Sequence, residues 1–291
     1  MRPGPLYLIM SPGGRLSTPA TIRADASCEI IQGDSRLVLR DLPKESFQCC
    51  VTSPPYWGLR DYGAEDQIGA EESLAEYVEN LVQVFEEVRR LLRPDGTLWL
   101  NIGDSYTSGN RTWRDTDRKN SARAMTYRPP TPEGLKPKDL IGVPWRLAFA
   151  LQERGWYLRS DIVWYKPNCQ PESVKDRPTR SHEYLFLFSR SEKYYYDHEA
   201  VKEEAKNGGL RNSRTVWEIP TEPYAGAHFA VFPRALAERC LAAGSRPGDA
   251  VLDPFLGSGT LGEVALASGR RFTGVELREE YARLARERMG V

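Results

Sequence analysis

Two glycines lie at a predicted strand-to-helix turn near the C-terminus, in the stretch "VLDPFLGSGTLGEVA". Gly257 and Gly259 allow the backbone to approach a ligand closely at such a turn. The next strand, "RFTGVEL", ends at Glu276, whose carboxylate can accept hydrogen bonds from two ribose hydroxyls. No Lys follows the second glycine, so this is not a Walker phosphate loop. The pattern indicates a nucleoside-type cofactor site, and the alternative is an ordinary turn with a surface glutamate.

A second unusual stretch, "VTSPPYWGLRDYG", follows a short apolar run that suits a buried strand. Neither proline can donate a backbone hydrogen bond, and Pro54 moves Ser53 away from helical geometry. The stretch therefore holds a hydroxyl, carbonyls and an aromatic pair on a stiff turn. Taken alone, it fits a rigid turn with buried aromatic rings as well as it fits a functional site.

The elements that must position these two stretches alternate between strand and helix from Cys28 onwards. The strand segments are CEIIQGD, FQCCVTS, TLWLNIG, LRSDIVWY, EYLFLFS, AVLDPF and RFTGVEL. A long helix is predicted where apolar residues recur at intervals of three and four. Its apolar positions are Leu74, Val78, Leu81, Phe85, Val88 and Leu92. The alternation predicts an α/β fold with one doubly wound, mostly parallel, seven-stranded sheet.

Composition limits the classes of protein that fit the chain of 291 residues. Residues 1–26 are rich in Pro, Gly and Ser and are interpreted as a flexible leader, and residues 27–291 as a single domain. The formal net charge is zero, so a nucleic-acid site must be a local patch. The five cysteines form no CxxC pair and have no metal-ligand spacing with the histidines, so we expect no metal site. No signal pattern or membrane-length apolar run occurs, which predicts a cytoplasmic protein.

Two motifs occur together in this chain, Ser53-Pro54-Pro55-Tyr56 after one strand and Asp253-Pro254-Phe255-Leu256-Gly257-Ser258-Gly259-Thr260 after another. In this combination the chain resembles the β class of DNA amino-methyltransferases, which use S-adenosyl-L-methionine. The resemblance covers roughly residues 28–290. It implies the class I methyltransferase fold with a circularly permuted motif order, in which the catalytic half comes first. It also implies double-stranded DNA as substrate and a bacterial, archaeal or phage source.

The resemblance assigns cofactor contacts to several parts of the domain. Asp34 in "QGD" matches the acidic residue that faces the adenine ring in the family. The stretch "HFAVFPRALAERC" resembles the family motif that closes around the methionine moiety. The implied cofactor-binding residues are Asp34, Phe229, Phe232, Asp253, Pro254, Phe255, Gly257, Ser258, Gly259, Thr260 and Glu276.

The resemblance also assigns a chemical purpose to the stiff turn. The amino nitrogen of cytosine or adenine is a poor nucleophile because its lone pair is delocalised into the ring. Ser53 Oγ and the Pro54 carbonyl are the expected acceptors of the two amino hydrogens, held in place by Pro54 and Pro55. Tyr56 is the expected stacking face for a base extruded from the duplex. Ser at the first motif position mostly accompanies cytosine-N4 methylation in the family, and Asp mostly adenine-N6, so cytosine N4 is predicted and adenine N6 is the alternative.

DNA contacts are predicted in three places. The basic loop 105–138 fits either a phosphate-binding segment or a solvated flexible loop. Trp164 and Lys166 lie at the end of a strand that faces the cleft by family analogy, although Trp164 fits a core aromatic equally well. In the family, the target-recognition region usually lies between the later catalytic motifs and the methionine motif. In this chain that position leaves residues 197–226 as a short candidate target-recognition segment. The candidate phosphate contacts in the basic loop are Arg111, Arg114 and Arg118.

Other interpretations compete with this one. A non-catalytic DNA- or cofactor-binding protein of the same fold would not need both motifs intact. Carbon-5 methylation of cytosine needs a Pro-Cys nucleophile, and no such dipeptide occurs. His182 and Glu183 are interpreted as structural, and His228 as part of the methionine motif. A homodimer and a cognate restriction endonuclease remain open as partners.

Replacing Arg111, Arg114 and Arg118 together with Ala should weaken DNA binding and reduce its salt dependence, because each lost phosphate contact lowers counterion release. Cofactor affinity should stay unchanged. DNA titrations at several salt concentrations measure the slope, and an unchanged slope would remove this loop from the DNA interface.

Overall fold

The computed structural model describes residues 27–60, 67–107, 129–222 and 232–291. The predicted leader, 1–26, lies outside these ranges. So do Arg111, Arg114 and Arg118 of the basic loop, and His228 and Phe229 of the methionine motif.

The described ranges contain ten strands, and eight of them form one sheet. The strands in chain order are β1 (Cys28–Gln32), β2 (Phe47–Thr52), β3 (Leu92–Ile102), β4 (Tyr157–Tyr165), β5 (His182–Ser189), β6 (Glu203–Glu204), β7 (Leu210–Arg211), β8 (Val216–Glu218), β9 (Ala250–Asp253) and β10 (Arg271–Glu276). The eight strands of the sheet lie in the spatial order β1-β10-β9-β2-β3-β5-β4-β8, and β6 pairs with β7 apart from it. Within the sheet, β5 runs antiparallel to β3 and β4, and the remaining neighbours are parallel. The predicted doubly wound, mostly parallel sheet is confirmed.

The eighth strand of the sheet, β8, lies in the candidate target-recognition segment 197–226, where the sequence predicted no strand. It has three residues, of which Val216 and Glu218 are exposed and Trp217 is buried. So short a strand contains no repeat of the two-residue alternation, and it is defined by pairing with β4 at the sheet edge.

Helices cover both faces of the sheet. They are α1 (Ser35–Asp41), α2 (Leu74–Leu91), α3 (Val143–Glu153), α4 (Arg234–Gly244), α5 (Thr260–Ala267) and α6 (Glu279–Met289). Helices α1, α2 and α3 pack around one buried cluster, and α4, α5 and α6 contribute to a second. In the predicted apolar stripe of α2, Leu74, Leu81, Phe85 and Val88 are buried and Val78 is half-buried, whereas Leu92 already begins β3.

The order of the strands reverses between β9 and β2. From β2 the chain passes through α2 to β3 on one side, and from β9 it passes through α5 to β10 on the other. In such sheets ligands bind outside the carboxyl ends of the strands at this point. The hydroxyl of Thr52 donates to Asp253 Oδ1 at 2.7 Å across the two strand ends. The two motifs, distant in sequence, therefore meet at one edge of the sheet.

Among the described residues, no helix is long and apolar enough to cross a membrane. The same part of the chain contains no group of three or more His, Cys, Asp or Glu side chains arranged to hold a metal ion.

Leu81→Ala should lower the free energy of unfolding by about 2–5 kcal/mol, because Leu81 is 0% exposed on α2 and its truncation leaves a cavity. Leu37→Ala is the matched control, since Leu37 is 61% exposed, and should change stability by less than about 0.5 kcal/mol. Urea unfolding curves measure both. Equal midpoints for the two variants would contradict the assignment of this core.

Candidate active site

A cleft of about 290 Å³ lies at the carboxyl edge of the sheet, where the strand order reverses. Both predicted motifs line it. The predicted site residues on its walls are Asp34, Ser53, Pro54, Pro55, Tyr56, Trp164, Lys166, Phe232, Asp253, Pro254, Phe255, Gly257, Ser258, Thr260 and Glu276. The fold thus brings together the predicted catalytic residues and most of the predicted cofactor residues.

Gly259 differs from its neighbours in the glycine loop, because it does not line the cleft. It precedes α5 with a φ of 81°, in the left-handed region that favours glycine. A Cβ at this position would lie 3.0 Å from the Cβ of Ala285 on α6. Gly259 therefore serves the turn and the close packing of α6 rather than direct ligand contact.

Glu276 ends β10 beside the glycine loop. Its Oε2 accepts a hydrogen bond from the Gly257 N–H at 2.9 Å, and Oε1 accepts one from the Arg278 N–H at 3.0 Å. Burial raises the pKa of Glu276, and the two backbone N–H groups oppose that rise. The carboxylate predicted to bind ribose thus also sets the conformation of the loop.

Asp34 follows β1 at the other side of β10. Its Oδ1 caps α1 by accepting from the Arg36 N–H at 2.8 Å, and its Oδ2 pairs with the Arg36 guanidinium at 2.6 Å. The neighbouring Ser35 hydroxyl donates to the carbonyl of Pro254, so the start of α1 is tied to the loop after β9. Sequence reasoning did not identify Ser35, since a serine at the start of a helix is commonplace.

Asp253 is the buried carboxylate at the point where the strand order reverses, with 5% of its surface exposed. Its Oδ1 accepts from the Thr52 hydroxyl and, at 3.0 Å, from the Phe255 N–H. Burial raises the pKa of Asp253 to about 7, although both hydrogen bonds act to lower it. This carboxylate connects the end of β2 to the first residues of the glycine loop.

The stiff turn after β2 is held from behind by residues that the sequence did not single out. The indole N–H of Trp57 donates to the Glu71 carbonyl at 3.0 Å, and Glu71 Oε2 accepts from the Gly69 N–H at 2.8 Å. The Tyr77 hydroxyl on α2 donates to the Pro55 carbonyl at 2.8 Å. Trp57 is buried, whereas Tyr56, its neighbour in the turn, lines the cleft. The interpretation as a rigid turn with a buried ring therefore applies to Trp57, and the interpretation as part of a candidate site applies to Tyr56.

Tyr56 lines the cleft on the side of the stiff turn. Its hydroxyl donates to Glu183 Oε2 at 2.8 Å, and burial is the main cause that raises its pKa well above the usual value. Its ring packs against Gly103, where a Cβ would lie 2.7 Å from Tyr56 Cε2. The glycine after β3 therefore leaves the space that this ring occupies.

Glu183, interpreted from sequence as structural, lines the cleft at the start of β5. Lys166 Nζ lies 2.5 Å from Glu183 Oε1 and 4.1 Å from the centre of the Trp164 ring. Trp164 is 3% exposed, and its indole N–H donates to the Ile219 carbonyl at 2.8 Å, so it is a core aromatic that also borders the cleft. Burial lowers the pKa of His182, which does not line the cleft.

The raised pKa of Asp253 predicts a pH-dependent stability. The native protein binds a proton that the unfolded chain, with a pKa near 3.8, releases. The stabilisation of the native state by this proton is fully present below pH 3.8 and is lost as the pH rises through about 7. The free energy of unfolding of Asp253→Asn minus that of the parent protein should therefore rise by roughly 2–3 kcal/mol as the pH increases from about 5 to 8.

Urea unfolding of the ligand-free protein at several pH values measures that difference. Asp95→Asn, which changes an exposed aspartate, is the control and should show no such trend. A constant difference between Asp253→Asn and the parent would contradict the prediction.

Comparison with known proteins extends these observations. Residues 47–287 match the family model described as DNA methylase, for N6 and N4 methyltransferases. The chain is 67% identical over 265 residues to the type II methyltransferase M.SmaI of Serratia marcescens, covering 90% of this chain and 91% of the relative. It is 63% identical over 260 residues to M.Cfr9I of Citrobacter freundii, covering 89% and 87%.

Solved structures show the same fold. The PvuII cytosine-N4-specific DNA methyltransferase superposes with a TM-score of 0.68 at 23% identity, over 90% of this chain and 88% of that one. A protein of Thermus thermophilus, provisionally assigned as a DNA modification methylase and solved with S-adenosyl-L-methionine, gives 0.64 at 28% identity, over 90% and 93%. The family match extends over most of the chain, and the relatives above 60% identity align over nearly their whole length. The chain belongs to the DNA methylase family.

Proposed function

We propose that this protein transfers a methyl group from S-adenosyl-L-methionine to the N4 amino group of an extruded cytosine in double-stranded DNA. The observation that carries the proposal is the junction of Ser53-Pro54-Pro55-Tyr56 with the glycine loop in one cleft. The bond between Thr52 and Asp253 joins the two strand ends that bear them. Relatives named as type II methyltransferases support a role in restriction and modification, with a cognate endonuclease as a partner.

The residues of the cleft suit the cofactor at one end and a base at the other. Along the sheet edge, Asp34 follows β1, Glu276 ends β10, Asp253 ends β9 and Ser53 follows β2. Carboxylates and loop N–H groups match the hydroxyl and amino groups of a nucleoside and the carboxylate of methionine. When bound, S-adenosyl-L-methionine supplies an electrophilic methyl group on its sulfonium sulfur.

The stiff turn supplies two acceptors for the amino hydrogens. Within the described residues no hydrogen bond occupies the Pro54 carbonyl, whereas the Pro55 carbonyl is bonded to Tyr77. Ser53 Oγ and the Pro54 oxygen can therefore both accept from one amino group. Gripping both hydrogens favours a pyramidal nitrogen with a localised lone pair. Because the turn is rigid, these acceptors are ordered before the reaction starts.

An extruded base would stack on Tyr56, with Trp164 as a second apolar wall. The ammonium of Lys166 is held inside the cleft, at 16% side-chain exposure, by Glu183. Its contact with DNA is therefore to the extruded base rather than to a backbone phosphate. Phosphate contacts fall to the basic loop and target recognition to residues 197–226, both as inferred from sequence.

Methyl transfer to unmodified DNA, followed by nucleoside analysis by mass spectrometry, tests the proposal. We expect N4-methylcytosine at a defined sequence. A product containing only N6-methyladenine would replace the base assignment with the adenine alternative. Absence of transfer, with the cofactor bound, would favour the non-catalytic interpretation.

Ser53→Ala should reduce the rate of methyl transfer by roughly 10²-fold, because one preorganised acceptor is lost. Ser46→Ala is the matched control, since Ser46 precedes β2 at its opposite end and bonds the Pro43 carbonyl. It should leave the rate unchanged. An active Ser53→Ala enzyme would contradict the role assigned to that hydroxyl.

A further inference from the structure

Arg288 on α6 contacts two hydroxyl groups of the glycine loop. Its Nη1 donates to Thr260 Oγ1 at 2.8 Å and to Ser258 Oγ at 3.3 Å. Its Nε donates to Glu263 Oε2 on α5 at 2.7 Å, and its side chain is 17% exposed. Ser258 and Thr260 line the cleft, whereas Arg288 and Glu263 do not. The guanidinium is therefore placed behind the loop, with two hydroxyls between it and the cleft.

Contacts among three helices fix the position of this guanidinium. Gly262 on α5 leaves space for α6, because a Cβ at this position would overlap Met289 Sδ. Glu263, the acidic partner of Arg288, also pairs with Arg234 Nη1 of α4 at 2.5 Å. Arg288 is thus held against the loop by helix packing and by an ion pair that is itself anchored on a second arginine.

The direction of the hydrogen bonds determines what the two hydroxyls can offer to a ligand. A guanidinium only donates, so Ser258 Oγ and Thr260 Oγ1 are acceptors toward Arg288. Their own hydrogens need other acceptors, and in the part of the chain that the structure describes neither hydroxyl donates a hydrogen bond. Thr260 is only 3% exposed and still borders the cleft. The loop therefore presents two hydroxyl hydrogens to a group bound in the cleft.

We infer that Arg288 is a positioning residue for the cofactor, which orients the Ser258 and Thr260 hydroxyls as donors to the carboxylate of S-adenosyl-L-methionine. This inference rests on the proposed function of the same cleft. A carboxylate only accepts, so it matches two hydroxyl donors at the start of α5, where the helix dipole also favours negative charge. The ammonium of the methionine moiety only donates, and the ribose hydroxyls have Glu276 as their acceptor.

A purely structural role for Arg288, as a link between α6 and the loop, predicts a different result. Loss of that link would shift the loop as a whole and weaken every ligand that the loop contacts. Loss of hydroxyl orientation would weaken only ligands that carry the carboxylate. Decarboxylated S-adenosyl-L-methionine separates the two cases, because it keeps the nucleoside, the sulfonium and the amino group.

Calorimetric titration of the full chain without DNA, using S-adenosyl-L-methionine and its decarboxylated form, tests the inference. Arg288→Met keeps the apolar stem of the side chain and removes the guanidinium. It should raise the Kd of S-adenosyl-L-methionine by roughly 10-fold, because the hydroxyls lose their fixed direction toward the carboxylate. The Kd of the decarboxylated form should stay within about twofold of the parent value.

Thr260→Val removes one hydroxyl and keeps the pair between Arg288 and Glu263, so it should show the same selectivity with a smaller loss. Since Arg288 acts through that hydroxyl, the double variant should lose less than the product of the two single losses. Arg283→Met is the matched control, because Arg283 also lies on α6 but is 60% exposed and pairs with Glu287 outside the cleft. It should bind both ligands as the parent does.

Three outcomes would overturn the inference: an Arg288→Met Kd for S-adenosyl-L-methionine within about twofold of the parent, equal losses for the two ligands, or losses that multiply in the double variant. Failure of the proposed methyl transfer is a separate result, since these affinities are measured without DNA.

Discussion

The hydrogen bond from Thr52 to Asp253 is the contact on which the cleft depends. It joins two strand ends that belong to opposite halves of the chain, at the point where a doubly wound sheet opens. The same carboxylate oxygen accepts from the Phe255 N–H, so one atom sets both the spacing of the strands and the start of the glycine loop. The raised pKa of Asp253 shows that burying this group has an electrostatic cost.

Rigidity of the stiff turn after β2 has a different origin. The prolines restrict the backbone locally, but its direction is set by Glu71, Tyr77 and Trp57 behind the turn. These bonds are shielded within the packed region between the turn and α2, where polar groups are costly to leave unpaired. The polar groups of the turn that face the cleft are therefore held in place before any ligand binds.

The cleft edge repeats one chemical arrangement along its length. Glu276 and Asp253 end neighbouring strands and Glu183 lies at the start of another, and each has committed oxygens to N–H or O–H donors of the site. A buried carboxylate needs such partners, and the partners it takes are thereby fixed in place. The acidic groups of this cleft thus act first on the protein, by ordering loops and hydroxyls, and through them on a ligand.

Local sequence determined much of this protein. The four-and-three spacing of Leu81 and Phe85 defines α2, the glycine loop and Glu276 define a nucleoside-type site, and the two prolines define a stiff turn, because each depends on neighbouring residues alone. Sequence did not identify the three-residue strand β8, which is too short to carry a period. It did not identify Glu183 or Asn101 as residues of the cleft either. Alternation along a strand shows which side chains share a face, but only the antiparallel placement of β5 between β3 and β4 decides that Glu183 meets Tyr56 and Lys166.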